Sequence, residues 1–418
     1  MSDSTSASTP SPTQAQRITA LVMATLGFAV NFWAWSLLSP LGPLFVEQGI
    51  VDDAALVVAI PVLVGSLGRI LVGAWTDRFG GRLMMSTVAL LTIIPVLFLG
   101  LGGQYSYPGL LVGGFVLGIA GTSFAIGIPY VNSWFPKERR GTATGIYGIG
   151  MGGTAVAAFT TVPLFEQGDA VPFIVTAAAL LIYAILAMVL MKNHPAWRPS
   201  EQKLSRQLAG VLKLPFTWQA CYLYALSFGG YVAFSVYLPS YLMNAYGLEA
   251  GDASLRMAGF VVAAVLMRPI GGMLSDKFGA IGTLLSSYTV VFLCALALAT
   301  NPRLEGLGTI AFLLMAVGLG IGTGAVFALV SQVADPSQVG SITGFVGAAG
   351  GLGGFVPPLL LGALWIATQE YRWGLILLAV ATLIAGLITI WTGRGTQTQA
   401  ASRSEEHTSE LQSHTEIS

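Results

Sequence analysis

Arg69 and Arg268 stand where a permanent charge is hardest to keep. The first lies inside "ALVVAIPVLVGSLGRILVGAW" (55–75) and the second inside "VVAAVLMRPIGGM" (261–273), runs that are otherwise lipid-grade. Each precedes by eight residues an aspartate, Asp77 or Asp276, that marks a helix end. At 1.5 Å per residue this places each guanidinium roughly 12 Å along its helix from that end, near the centre of a bilayer. A cation there costs at least about 2.5–3.5 kcal/mol on insertion scales. An internal salt bridge would be the ordinary explanation, but the acids are elsewhere. Glu47, Asp52, Asp53, Asp77, Glu138, Glu166, Asp169, Glu201, Glu249, Asp252, Asp276, Glu305, Asp335 and Glu370 all fall in loops or at helix ends, and the rest in the terminal tails. The missing counter-charge is therefore expected to be a ligand, and an anion. A guanidinium fork suits a planar oxyanion because its donors match two oxygens at once.

Other residues fit around that pair. Phe124 in "GTSFAIG" and Phe327 in "GTGAVFALV" are flanked by glycine, threonine, serine and alanine, which mark a packed inner face rather than lipid. Two such rings would form a slot for a flat ligand and exclude water. The runs "GIYGIGMGG" and "GFVGAAGGLGGF" are dense in glycine. Close helix packing accounts for part of this density. It would also let helices slide, and would expose backbone to a small substrate at Gly148, Gly152, Gly347 and Gly351. Neither run is a phosphate loop, because neither follows a strand or carries a lysine. Asp77, Arg78 and Arg82, with Asp276 and Lys277, form two short charged turns. They anchor helix ends, and they could also latch against neighbouring ends in one conformational state.

The elements that must position these groups are legible from composition. Of 418 residues, 54% are hydrophobic and 9% charged, against about 25% charged in soluble domains, so an all-α membrane protein is expected. Twelve apolar spans of about 20 residues fall between residues 18 and 393, in two six-helix bundles, 18–192 and 217–393. A charged cytoplasmic linker (193–216) joins them, and 1–17 is a Ser/Thr/Pro-rich tail expected to be disordered. A second tail covers 394–418. Within it "RSEEHTSELQSH" (403–414) matches the translation of a short-read sequencing adaptor, so 403–418 is expected to be an artefact. With the N-terminus inside, interior segments hold thirteen Lys and Arg against three outside, which predicts cytoplasmic termini. Balanced charge, with 19 basic and 19 acidic residues, argues against a nucleic-acid partner. Cys221 and Cys294 read as small buried hydrophobes.

An internal repeat ties the two arginines together. Arg69, Gly73, Asp77, Arg78, Phe79 and Gly80 match Arg268, Gly272, Asp276, Lys277, Phe278 and Gly279 at an offset of 199. "GTATGIYG" (141–148) matches "GSITGFVG" (340–347) at the same offset. Helices two and eight are thus equivalent, as are five and eleven. Such parallel repeats usually build a transporter, with its site at the midplane between the halves.

The turn "GAWTDRFGGR" resembles the signature loop G-x-x-x-D-R-x-G-R-[KR] of the major facilitator superfamily. Within it, "VLVGSLGRILVGAWTDRFGGR", "SFAIGIPYVNSWFPKERRGTATGIYGIGMGGTAV", "LSFGGYVAFSVYLPSYL" and "GAVFALVSQVADPSQVGSITGFVGAAGGLGGFVPPLLLG" closely resemble the nitrate/nitrite porter family, over residues 18 to 393. The resemblance implies the major facilitator fold, with Arg69 and Arg268 binding the anion and Phe124 and Phe327 sandwiching it. It also implies a contribution from helix seven through Tyr231, Phe234 or Ser235. One position departs: the first signature commonly reads G-x-G-N-x-G, and Met151 stands in place of that asparagine.

The expected function is a secondary transporter of nitrate or nitrite by alternating access, with exchange of anions favoured because an unoccupied pair of cations resists closure. Other small anions such as cyanate or a small carboxylate, proton symport, and an anion sensor are the alternatives. The one histidine outside the tail, His194, lies in the linker, so no membrane histidine or carboxylate offers itself for proton coupling. No nucleophile, base and orienter converge, so no enzyme activity is expected, and no metal or cofactor. The expected setting is the plasma (inner) membrane, as a monomer, with lipid and the anion as partners.

Overall fold

A computed structural model describes residues 12–136, 140–195, 197–198, 209–333 and 339–416, with the side chains at 74, 77, 140–142, 331, 339–341, 343 and from 395 onward outside the description. Among the described residues there are helices and no strand. Twelve of them are long and apolar enough to cross a membrane, as composition predicts; in chain order, spans 1 to 12 are Gln14–Glu47, Ala55–Gly73 (within the helix Ala55–Phe79), Gly81–Leu101, Tyr107–Trp134, Ala143–Phe165, Val171–Leu190, Pro215–Tyr246, Ala250–Phe278, Ala280–Ala299, Leu304–Val330, Gly344–Thr368 and Arg372–Arg394. The first helix begins at Gln14, ahead of the expected edge at 18. Thr13 and Gln16 form a reciprocal capping box there, the Thr13 hydroxyl accepting from the Gln16 N–H and the Gln16 side chain from the Thr13 N–H. Part of the linker and the N-terminal residues 1–11 lie outside the described residues.

Span 2 shows how the sequence sorts its faces. Leu67, Leu71 and Trp75, spaced i, i+4, i+8, are exposed on one side, while Ser66, Arg69 and Val72 are buried on the other. The exposed stripe suits lipid, and the buried one faces the protein interior. Burial also ranks the spans. The most apolar window of span 7 (Pro215–Tyr246) is 89% buried, whereas that of span 12 is 28% buried, so span 7 is central and span 12 peripheral.

The repeat extends to backbone conformation. Gly80 ends span 2 at φ 82°, ψ 151°, and Gly279 ends span 8 at φ 83°, ψ 143°. Only glycine takes that region without strain, so both "D-[RK]-F-G" turns bend directly into the next span. Halfway along, the glycine runs interrupt their helices. Gly118–Thr122 and Ile149–Gly152 tighten to 3-10 geometry, and span 11 breaks between Gly353 and Val356. Glycine's poor helix propensity makes these stretches deformable. Close packing holds them in place: the position a Gly153 side chain would occupy is filled by the Ala29 carbonyl, and that of Gly320 by the Ala264 carbonyl.

Candidate anion site between the halves

Arg69 and Arg268 are 3% and 5% exposed, so neither snorkels to water. Phe124 is the piece they share. The Arg69 guanidinium lies 5.0 Å from its ring centre and that of Arg268 lies 5.5 Å away. Each such contact contributes on the order of 1 kcal/mol, which does not offset two cations removed from water. The pair therefore remains an electropositive centre whose members repel one another.

Each arginine is met by the opposite half. Arg69 donates through Nε to the Gly121 carbonyl (3.2 Å) on its own half, and through Nη1 across the seam to the Gly347 carbonyl (2.8 Å). A side chain at Gly351 would collide with Ser66 Oγ and lie 2.9 Å from Arg69 Nη1. Arg268 crosses the other way: its Nη1 donates to the thioether of Met151 at 3.2 Å, and a Cβ at Gly148 would sit 2.8 Å from its Nε. Both glycine runs thus serve as walls against which the opposing arginine lies flat. Arg69 Nη2 is buried without a hydrogen-bond partner, a donor facing inward. Such an orphan is rare in a native fold and calls for an explanation.

The aromatic wall holds two rings beyond the expected pair. Phe124 stacks on Phe228 (5.8 Å between centres, 22°), and Phe228 stacks in turn on Tyr224 (5.1 Å, 2°). Phe228 also lies 5.4 Å from the Arg69 guanidinium. Phe327 stands behind, edge-on to Tyr224 at 4.7 Å. The Tyr224 hydroxyl is buried beside both guanidiniums and faces Arg268. Tyr147 backs Phe124 from the other side at 6.4 Å and fixes the local backbone by donating to the Ser123 carbonyl (3.0 Å).

Of the three helix-seven candidates, Tyr231 comes nearest. Its hydroxyl pairs with Thr154 Oγ1 (2.8 Å) and donates to the Met151 carbonyl (3.3 Å), tying the halves together beside Arg268. Phe234 packs instead against Phe260 and Phe312, and the Ser235 hydroxyl donates to its own helix at Val232. Gly152 lies at ordinary distance from Val265 rather than against an arginine, since a Cβ there would be 3.7 Å away. Phe228 and Tyr224 were not singled out in the sequence. The available signal was their one-turn spacing on the same helix, Tyr224, Phe228 and Tyr231 forming one face.

The charged turns lie at the membrane edge. Arg82 donates through Nε to the Met188 carbonyl at 3.1 Å, and its backbone N–H donates to Asn193 Oδ1 at 3.2 Å, securing the end of span 6. Arg78 and Lys277 rest over the neighbouring rings of Phe79 and Phe278 at 5.6 and 5.1 Å. Asp276 is exposed, and the Asp77 side chain lies outside the described residues.

Comparison with known proteins agrees with this architecture. The family model of the Major Facilitator Superfamily matches residues 24–358. The chain is 45% identical over 389 residues, 92% of its length and 98% of the relative's, to a Mycobacterium tuberculosis protein named "Probable nitrate/nitrite transporter NarK2". It is 36% identical to the "Nitrite extrusion protein" of Bacillus subtilis, covering 89% and 93% of the two chains. The human organic anion transporter MFSD10 superposes with a TM-score of 0.72 over 89% of this chain and 99% of that one, at 11% identity, a likeness of fold.

Proposed function

We propose that this chain, which belongs to the Major Facilitator Superfamily and within it to the nitrate/nitrite porters, carries nitrate or nitrite across the membrane by alternating access. The observation that carries the proposal is the Arg69–Phe124–Arg268 group: two buried guanidiniums on one ring, with an unpartnered donor and, among the described residues, no carboxylate paired with either. A flat monovalent oxyanion matches that geometry. Its oxygens meet the guanidinium edges, while its faces meet Phe124 and Phe228 rather than water. Relatives named for nitrate and nitrite support the same cargo. Phe228 and Tyr224 join the expected contacts, and Phe327 supports them from behind.

One anion leaves the two-cation site with a net positive charge, and removal of the anion leaves it more so. Exchange of one anion for another is therefore the favoured cycle. The chain is a multi-pass membrane protein, and the charge asymmetry of its loops favours cytoplasmic termini.

Reconstitution of the full chain in liposomes tests this reading. Internal nitrate or nitrite should accelerate uptake of labelled external anion. Arg69→Lys and Arg268→Lys should each lose most of it, because one ammonium cannot reach the Gly121 and Gly347 carbonyls, the ring and the anion together. Full transport in both variants would refute the site, and uptake indifferent to internal anion would refute exchange.

A further inference from the structure

At its outer end the seam between the halves closes over a carboxylate. Ser39 of span 1 donates to the Ser235 and Val236 carbonyls of span 7. Just beyond, Asp53 sits half-buried before span 2, its Oδ2 accepting from the Ala55 N–H at 3.0 Å. Span 11 presses on it from the other half. A Cβ at Gly362 would come within 2.6 Å of Asp53 Oδ2, so glycine is what permits the approach. The titratable groups facing Asp53 are phenols, Tyr237 of span 7 and Tyr371 at the head of span 12. Their hydroxyls lie 3.3 Å apart, with Asn244 donating to Tyr371 at 2.9 Å. The charged neighbours Asp52, Glu370 and Arg372 are exposed to solvent, and among the described residues no cation pairs with Asp53.

We infer that Asp53 is a proton-binding site whose occupancy favours closure of the outer seam, making external pH a control on the conformational cycle. The inference rests on the chain's being an alternating-access carrier and not on the identity of its anion. Opening the outer end must withdraw spans 7 and 11 from Asp53 and return the carboxylate to water. Closing strips that water without supplying a positive charge, which disfavours the ionised form. Burial accordingly raises its proton affinity from the ordinary aspartate value, and the Ala55 and Ala54 N–H groups oppose the rise only in part. The sign follows. The closed seam takes up the proton more readily than the open one, so closure is favoured at low external pH and the advantage fades as pH rises through the closed-state value. Linkage makes the effect reciprocal: a tenfold difference in proton affinity between the states gives about a tenfold change in the closed-to-open ratio.

Asp53 precedes the N-cap, Ala54, and accepts from the first helical N–H, a structural role that alone would explain its hydrogen bond. Asn offers the same kind of acceptor oxygen and cannot titrate, so Asp53→Asn separates the two roles. The full chain, with Cys221 and Cys294 replaced by alanine and spin labels at Gln48→Cys and Ala367→Cys on opposite halves of the outer end, is reconstituted in liposomes. Pulsed electron resonance then reads the label separation as external pH is stepped from acid to neutral, without anion and with nitrate. The short-distance population should fall severalfold as pH rises, remain high and flat in Asp53→Asn, and recover its pH dependence in Asp53→Glu. Wild-type pH dependence in Asp53→Asn, or a flat response in the parent, overturns the inference. The readout needs no transport, so loss of nitrate uptake with an intact pH response would count against the cargo and not against Asp53.

Discussion

Alanine at position 148 should injure the site without injuring the fold. Gly148 is helical at φ −59°, ψ −21°, so alanine is compatible with the backbone and has the higher helix propensity, by about 1 kcal/mol. Its Cβ, however, would lie 2.8 Å from Arg268 Nε, 3.0 Å from Cδ and 3.1 Å from Cζ. The guanidinium must retreat by roughly 0.6 Å to regain the 3.4 Å at which ordinary contact begins. Phe124 and Met151 bound it on other sides, so the retreat misaligns its donors rather than simply sliding them. Losing one charge-assisted hydrogen bond to the anion costs about 1.5–3 kcal/mol, or roughly 10- to 150-fold in apparent affinity. The assay is initial-rate nitrate uptake into proteoliposomes over a concentration series, with thermal melting in detergent to show that the fold is kept. Gly351→Ala, which places its Cβ 2.9 Å from Arg69 Nη1, should fall with it. Gly152→Ala and Gly145→Ala meet only Val265 at 3.7 Å and Pro269 at 3.8 Å, and should stay within about twofold of the parent. Equal losses at 148 and 152, or none at 148, would refute the claim that the glycine runs act as walls for the arginines.

Met151→Asn replaces a weak thioether acceptor with an amide that both accepts from Arg268 and offers an N–H to the anion. The KM for nitrate should fall by roughly 10-fold or more, the range of one hydrogen bond to a charged group, and an unchanged KM would show that the position does not face the cargo. Gly320→Ala is the opposite case to Gly148→Ala. Its Cβ collides with the Ala264 backbone carbonyl, which cannot rotate away, so about 1–3 kcal/mol of stability and several degrees of melting temperature should be lost, whatever the anion concentration.

The one-dimensional chain already carries the membrane class, the twelve spans and the repeat, because lipid solvation acts residue by residue and leaves its mark in composition and period. It also isolated Arg69 and Arg268, since a midplane cation without an acid is visible in one dimension. Tertiary structure alone decided which surface each arginine meets. That Arg69 reaches Gly347 and Arg268 reaches Met151, across the seam, depends on how two bundles dock. Phe124 and Phe327 have the same small-residue flanks, yet docking sets Phe228 beside Phe124 and Tyr224 against Phe327. Asp53 reads in the sequence as one more loop acid. Only the approach of Gly362 removes its water, because burial of a charge depends on which partners close over it, and those lie some three hundred residues away along the chain.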